Sequence, residues 1–186
     1  MNSKDRVIVI LIIFGVTLFS IVQFVILPHN NREKQKYIEA QQEPTTHDLK
    51  KIVKYKNKYM GNMSNLSNLF LNLPLAKTPR TYRLHSDKLT LEVNYKKTID
   101  AIGDKKVKEA LIYNSTAAFA LIDNLEHIKY NFPGDSFAIN RKDIEEFYGN
   151  FYNILKDTIW KDKVQKKLYD KNYVEESFMK LLCADK

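Results

Sequence analysis

The sequence is poor in the residues from which catalytic and metal sites are usually built. It holds one cysteine, Cys183, in 186 residues. A single thiol excludes an intrachain disulfide. With no His near it in the chain, it reads as an incidental packed side chain rather than a nucleophile. The four histidines, His29, His47, His85 and His127, stand singly, whereas metal ligation needs clustered donors. No HExxH pair occurs, so the zinc-peptidase pattern is excluded. Five glycines are present, and none forms GxGxxG or a phosphate loop. No GxSxG elbow offers a serine nucleophile. The paired acids Glu145-Glu146 and Glu175-Glu176 fall in helix first turns, where they suit the dipole. The chain is expected to be non-enzymatic, with no cofactor and no metal.

The most telling absence is charge between Val7 and Leu27: VIVILIIFGVTLFSIVQFVIL. As a helix these residues span about 32 Å, enough for a hydrocarbon core of about 30 Å. An export signal has a shorter apolar core and a small-x-small cleavage site. Here the residues before Pro28 are the bulky FVIL. The segment reads as an uncleaved signal-anchor whose partner is the lipid bilayer. Residues 1–6 form a short tail with Lys4 and Arg6, and the far flank carries Arg32, Lys34 and Lys36. Lys and Arg near the two ends nearly balance. A basic tip before an apolar run favours the tail inside and the large domain outside; the mirror arrangement stays open.

Pro28 is expected to end the helix. Residues 28–47 are polar and contain Pro44, and read as a stalk, helical in part over REKQKYIEAQQ. The folded domain is placed at 48–186. It is aromatic enough to pack a core, with 11 Tyr and 10 Phe in the chain. An exported domain without disulfides suits a bacterial envelope, and the abundance of Lys, Asn, Ile and Tyr suits a low-GC genome.

Within that domain one order occurs twice. SNLSNLFLNLPL carries Leu66, Leu69, Phe70 and Leu73 at helical spacing and ends at Pro74. TYRLHS and LTLEVNY follow, and in the latter Leu89, Leu91, Val93 and Tyr95 alternate with polar residues, the period of a half-buried strand. DKKVKEALIYNSTAAFALIDNL then predicts a helix with one apolar stripe, Asp104 as its N-cap and Asn124 as a left-handed C-terminal residue. HIKYNF, the turn PGD and SFAIN complete the second unit. Each hairpin has one apolar face that helices must cover. The expected fold is therefore α+β: a four-stranded antiparallel sheet from two helix-hairpin units. Further helices follow, with capping-box patterns at Asn140/Asp143 and Asn172/Glu175.

YKNKYMGNMSNLSNLFLNLPL, LTLEVNY and LIYNSTAAFALIDNLEHIKYNF together resemble a domain of unknown function of Gram-positive bacteria, over about residues 50–160. The strongest matches are Tyr55, Lys58, Tyr59, Gly61, Leu73, Pro74, Tyr95, Asn114, Phe119, Leu121, Ile122, Asp123 and Asn124. That family occurs as single-pass membrane proteins and attached to some BlaR-type antirepressor sensor peptidases. The resemblance implies a membrane-anchored module, with another envelope or sensor membrane protein as a candidate partner; it implies no activity. Where the family has Gly-Asp-Asn-Ser, this chain has Gly61-Asn62-Met63-Ser64, so the acidic residue of that loop is missing.

The candidate ligand or partner residues are Asn114, Asp123, Asn124, Tyr59 and Gly61. Asn114, Ser115 and Thr116 are weak helix formers in mid-helix. Packing and capping account for them, and a ligand pocket is the sharper alternative. The net charge is +8. Lysines gather at 96–108 (Lys96, Lys97, Lys105, Lys106, Lys108) and at 161–171 (Lys161, Lys163, Lys166, Lys167, Lys171). A solvated surface is one reading, and an anionic lipid or wall polymer as partner is another. Nucleic acid is not expected for an external domain. The function expected is an extracytoplasmic binding or interaction module. The alternatives are an envelope enzyme acting through Asp123 and its neighbours, and a cytoplasm-facing regulatory domain.

Overall fold

A computed structural model of the chain describes residues 2–149 and 151–184. It divides into two compact units, Met1–Ala40 and Gln41–Lys186. The first is one helical rod made of α1 (Ser3–Ile21), a π turn (Val22–Ile26) and α2 (Leu27–Ala40). It is long and apolar enough to cross a membrane, and no residue of that apolar stretch is buried. The hydroxyls inside it are satisfied locally: Thr17 donates to Ile13 O, and Ser20 to Val16 O at 2.8 Å. Pro28 does not end the helix as expected. It lacks an N–H and would clash with the carbonyl four residues back. The turn ahead of it widens, with Leu27 N–H donating to Val22 O five residues back, and the helix continues through the proline.

The second unit begins earlier than the expected 48. Residues 41–47, read as the end of a stalk, are packed: Pro44 and His47 are buried. Gln165 holds them, its side-chain Nε2 donating to Pro44 O at 2.9 Å and to His47 O at 2.8 Å. The helices α3 (Lys50–Val53) and α4 (Met63–Leu71) follow. Asn62 caps α4 by accepting from Asn65 N–H. Then come β1 (Arg80–His85) and β2 (Thr90–Tyr95), α5 (Ile99–Ile102) and α6 (Asp104–Leu121), β3 (His127–Phe132) and β4 (Asp135–Asn140). The chain closes with α7 (Arg141–Tyr148), α8 (Asp157–Trp160) leading through a π turn and a 3₁₀ turn, α9 (Lys171–Leu181), and a two-residue β5 (Cys183–Ala184). The side chain of Cys183, expected to be packed, lies outside the described ones.

The fold is α+β, and the helix–strand–strand order occurs twice. The strands lie in the order β1-β2-β3-β4-β5. Both hairpins are antiparallel, but the pair joining them is parallel, Leu91 facing Ile128 and Val93 facing Tyr130. The sheet is thus mixed rather than wholly antiparallel. Residues 96–126 form a helical crossover that returns the chain to the end from which β2 started, so β3 runs the same way. Leu91, Val93 and Tyr95 alternate with half-buried Thr90, Glu92 and Asn94 as the period predicted. Their buried face carries Ile128, Tyr130 and Phe132 of β3, with Tyr95 stacked on Phe132 at 4.7 Å.

The expected single stripe on α6 is exceeded. From Glu109 to Phe119 every residue is buried, because elements enclose the helix on all sides. Ser115 meets Tyr130 Oη of β3 at 2.9 Å, Tyr113 meets Trp160 of α8, and Asn114 donates to Pro74 O at 2.9 Å. A helix buried all round is a central helix. Its N-cap is Gly103, at φ 108, rather than Asp104. Its C-cap is Ile122 in extended conformation, so Asn124 is not the left-handed terminator. The α9 cap is Asp170, which accepts from Asn172 and Tyr173 N–H, rather than Asn172.

Candidate functional site

The C-terminal end of α6 organises the region that carries most of the candidate residues. There the strand-like segment at Asn57 lies parallel to Ile122. Asn57 N–H donates to Leu121 O (2.8 Å), and Asp123 N–H donates back to Asn57 O (3.0 Å). Asn124 Oδ1 accepts from Met60 N–H at 2.6 Å. Asn57 Oδ1 accepts from Tyr59 N–H at 2.8 Å, an Asx turn that sets the loop. Tyr59, Gly61, Asp123 and Asn124 therefore belong to one corner. Tyr59 and Gly61 point that corner at solvent, while Asn124 spends its oxygen on the backbone. Asn114 stands apart, fully buried at Pro74 in mid-helix. Its Oδ1 has no partner among the described residues.

Asp123 is exposed and lines a cleft of about 900 Å³ with Lys56, Arg141, Glu145 and Lys156 around a floor of Phe119 and Leu155. Arg141 builds this wall. Its guanidinium donates to Leu125 O at 2.8 Å, to Ile122 O at 2.5 Å and to Glu145 Oε1 at 3.2 Å, and lies 5.4 Å from the Phe119 ring centre. The planar fork ties the start of α7 to the loop after α6, a task a lysine could not do. Nothing in the residue pattern alone marked Arg141, because its partners are carbonyls brought close only by the β3–β4 hairpin.

A second cleft of about 570 Å³ opens between residues 45–50 and 157–169, with Lys50, Asp157, Lys161, Lys166 and Tyr169 on its rim. Beneath it His47 is buried. Its Nε2 lies 2.6 Å from Asn72 O and its Nδ1 2.8 Å from Tyr113 Oη, which also accepts from Trp160 Nε1 at 3.1 Å. A carbonyl can only accept, so Nε2 carries the proton and Nδ1 accepts from the Tyr113 hydroxyl. Burial holds the His47 pKa below its ordinary value, against the opposing pull of the Asn72 carbonyl and Asp48. The arrangement suits a structural lock, since both ring nitrogens are already hydrogen-bonded within the protein.

The two lysine gatherings have different fates. In the first, Lys105 pairs with Glu109 (3.6 Å), Lys106 with Glu43, and Lys108 with both Asp104 and Glu175 (2.8 Å each). The second faces solvent, where Lys161 pairs with Asp157 (2.9 Å) and Lys166 with Asp162 (2.5 Å), and it acquires a neighbour that sequence proximity did not suggest: Lys50 lines the same cleft as Lys161 and Lys166. Among the described residues no three His, Cys, Asp or Glu side chains gather as a metal group.

Residues 52–144, half of the chain, match a family model described as a domain of unknown function, DUF4825. The chain belongs to this family. No curated protein and no solved structure matches it. The DUF4825 match takes in β1 to β4, α6, the Asn57–Asn124 corner, Asp123 and Arg141. It spans residues 52–144, so the 149–156 wall of the first cleft, the whole lining of the second and the buried His47 are contributed by residues outside it.

Proposed function

We propose that this DUF4825 protein is a single-pass, membrane-anchored binding or interaction module of the bacterial cell envelope, with residues 41–186 outside the cytoplasm and no catalytic role. The observation that carries the reading is the uncharged run Val7–Leu27, which forms one helix with its apolar side chains exposed along the whole length. Apolar surface of that extent is stable only in a non-aqueous medium. The candidate residues support a binding role over a catalytic one. Asn114 and Asn124 are used to hold backbone, and Asp123, Tyr59 and Gly61 stand exposed at one corner, open to a partner.

Protease treatment of intact spheroplasts tests the orientation. Digestion of residues 41–186 without lysis is expected. Protection until the membrane is opened would instead support the cytoplasm-facing reading.

One observation favours a second reading, an envelope enzyme: Asp123 shares its cleft with Lys56, Lys156 and Arg141, a carboxylate among cations. An enzyme working through Asp123 would lose turnover in Asp123→Asn while keeping its stability.

A further inference from the structure

Nearly all the net charge of this protein sits on two chain segments that the fold lays side by side. Residues 48–58 and 156–171 together hold eleven lysines and four aspartates, which is +7 of the +8 of the whole chain. All eleven lysines are exposed. The two clefts run along the seam between these segments, bringing Lys56 beside Lys156 and Lys50 beside Lys161 and Lys166. Three exposed tyrosines stand in the same field: Tyr59 next to Lys58, Tyr152 on the first cleft and Tyr169 on the second, at 59%, 95% and 65% exposure. Lys161 and Lys166 are partly offset by Asp157 and Asp162, and the excess of positive charge that remains along the seam calls for a polyanionic surface opposite it. Lysine stems and tyrosine rings are the side chains that settle at a headgroup layer.

The chain supplies the argument for which polyanion. Residues 28–40, as the helix they form, extend about 20 Å beyond the apolar run. A domain so tethered meets the bilayer surface at a high effective concentration. We infer that the basic seam between residues 48–58 and 156–171 docks the domain on anionic phospholipid headgroups of the membrane that anchors it. The inference rests on the anchored reading above and names the partner of that module. Contact is required, because salt screens the attraction beyond about 10 Å at ordinary ionic strength.

The test uses the full-length chain in lipid nanodiscs of phosphatidylcholine, with and without phosphatidylglycerol, and reads lysine acylation by mass spectrometry. Slower labelling of Lys161 and Lys166 is expected only in the anionic discs, with Lys88 and Lys97 as unaffected references and with the protection lost in molar salt. Each neutralising change among Lys50→Gln, Lys54→Gln and Lys56→Gln should lower the docked-to-undocked ratio about fivefold. These positions are exposed, and an unchanged circular dichroism spectrum verifies folding. Equal labelling in both kinds of disc overturns the proposal. So does protection by soluble polyphosphate in neutral discs without protection by the anionic bilayer, which would make the occupant a polymer in solution. Failure of the anchored reading shows separately, as chain that does not co-purify with the discs, and it takes the docking proposal with it.

Discussion

His47 Nδ1 and Tyr113 Oη lie 2.8 Å apart in the core, sixty-six residues distant in sequence. With Nε2–H given to Asn72 O and Trp160 Nε1–H given to Tyr113, each donor in this chain has one acceptor. A proton added at Nδ1 would face a hydroxyl whose own hydrogen then has no acceptor in the set. In the unfolded chain His47 protonates near 6.5, and in the fold only at lower pH. Between those two values the unfolded chain holds more protons, so this contribution is fully present above 6.5 and declines as pH falls below it. Urea midpoints measured from pH 8 downward should decrease through that window, and the decrease should be smaller in His47→Gln. The alkaline limb has the opposite origin. Burial raises the pKa of Tyr95, Tyr113 and Tyr130 above 10, so their contribution is present below pH 10 and is lost above it.

Tyr113→Phe keeps the ring and removes the hydroxyl. It leaves Trp160 Nε1–H and His47 Nδ1 buried without partners. The expected loss is about 2–6 kcal/mol of unfolding free energy, since each of the two orphaned groups costs about 1–3 kcal/mol. A loss within about 0.5 kcal/mol, the range of ordinary surface changes, would show that water replaces the hydroxyl.

Asn114 and Asp123 should part company under substitution. Asn114→Ala removes the bond to Pro74 O from a fully buried position and should cost about 1–3 kcal/mol. Asn114→Asp should cost more, because a carboxylate would face a carbonyl in the core. Asp123→Ala alters an exposed side chain whose backbone makes the local bonds, and should stay within about 0.5 kcal/mol. Chemical denaturation of the three variants measures this.

Arg141→Lys should behave as a damaging change despite keeping the charge. One ammonium cannot reach Leu125 O, Ile122 O and Glu145 together. A loss of about 2 kcal/mol is expected from the bonds to charged donors. Hydrogen exchange should quicken first at residues 122–126, where the strap is made.

The alternation in LTLEVNY and HIKYNF and the helical spacing of Leu66, Leu69 and Phe70 were legible because each depends on one element burying one face. The parallel β2–β3 pair was not, since pattern within a strand carries no information on which way its neighbour runs. Pro28 misled for a similar reason: its penalty is intrinsic, but the π turn that absorbs it belongs to the residues before it. Pro44 and His47 look like linker until Gln165, distant in sequence, is brought against them. At the clefts, Asp123 was visible as a polar residue at a helix end, whereas Lys56 and Lys156 become neighbours only through the packing of the C-terminal segment. The lysines of 96–108 looked like a patch, and the acids Glu43, Asp104, Glu109 and Glu175 offset most of it.

Everything proposed for this protein depends on α1 remaining in lipid. Alkaline carbonate extraction of membranes from cells making the full chain, followed by mass measurement of what stays in the pellet, addresses that most directly. The account predicts a membrane-retained species of 21.9 kDa that resists extraction and is released by detergent. A soluble product starting beyond Leu27, recovered in the supernatant, would contradict it.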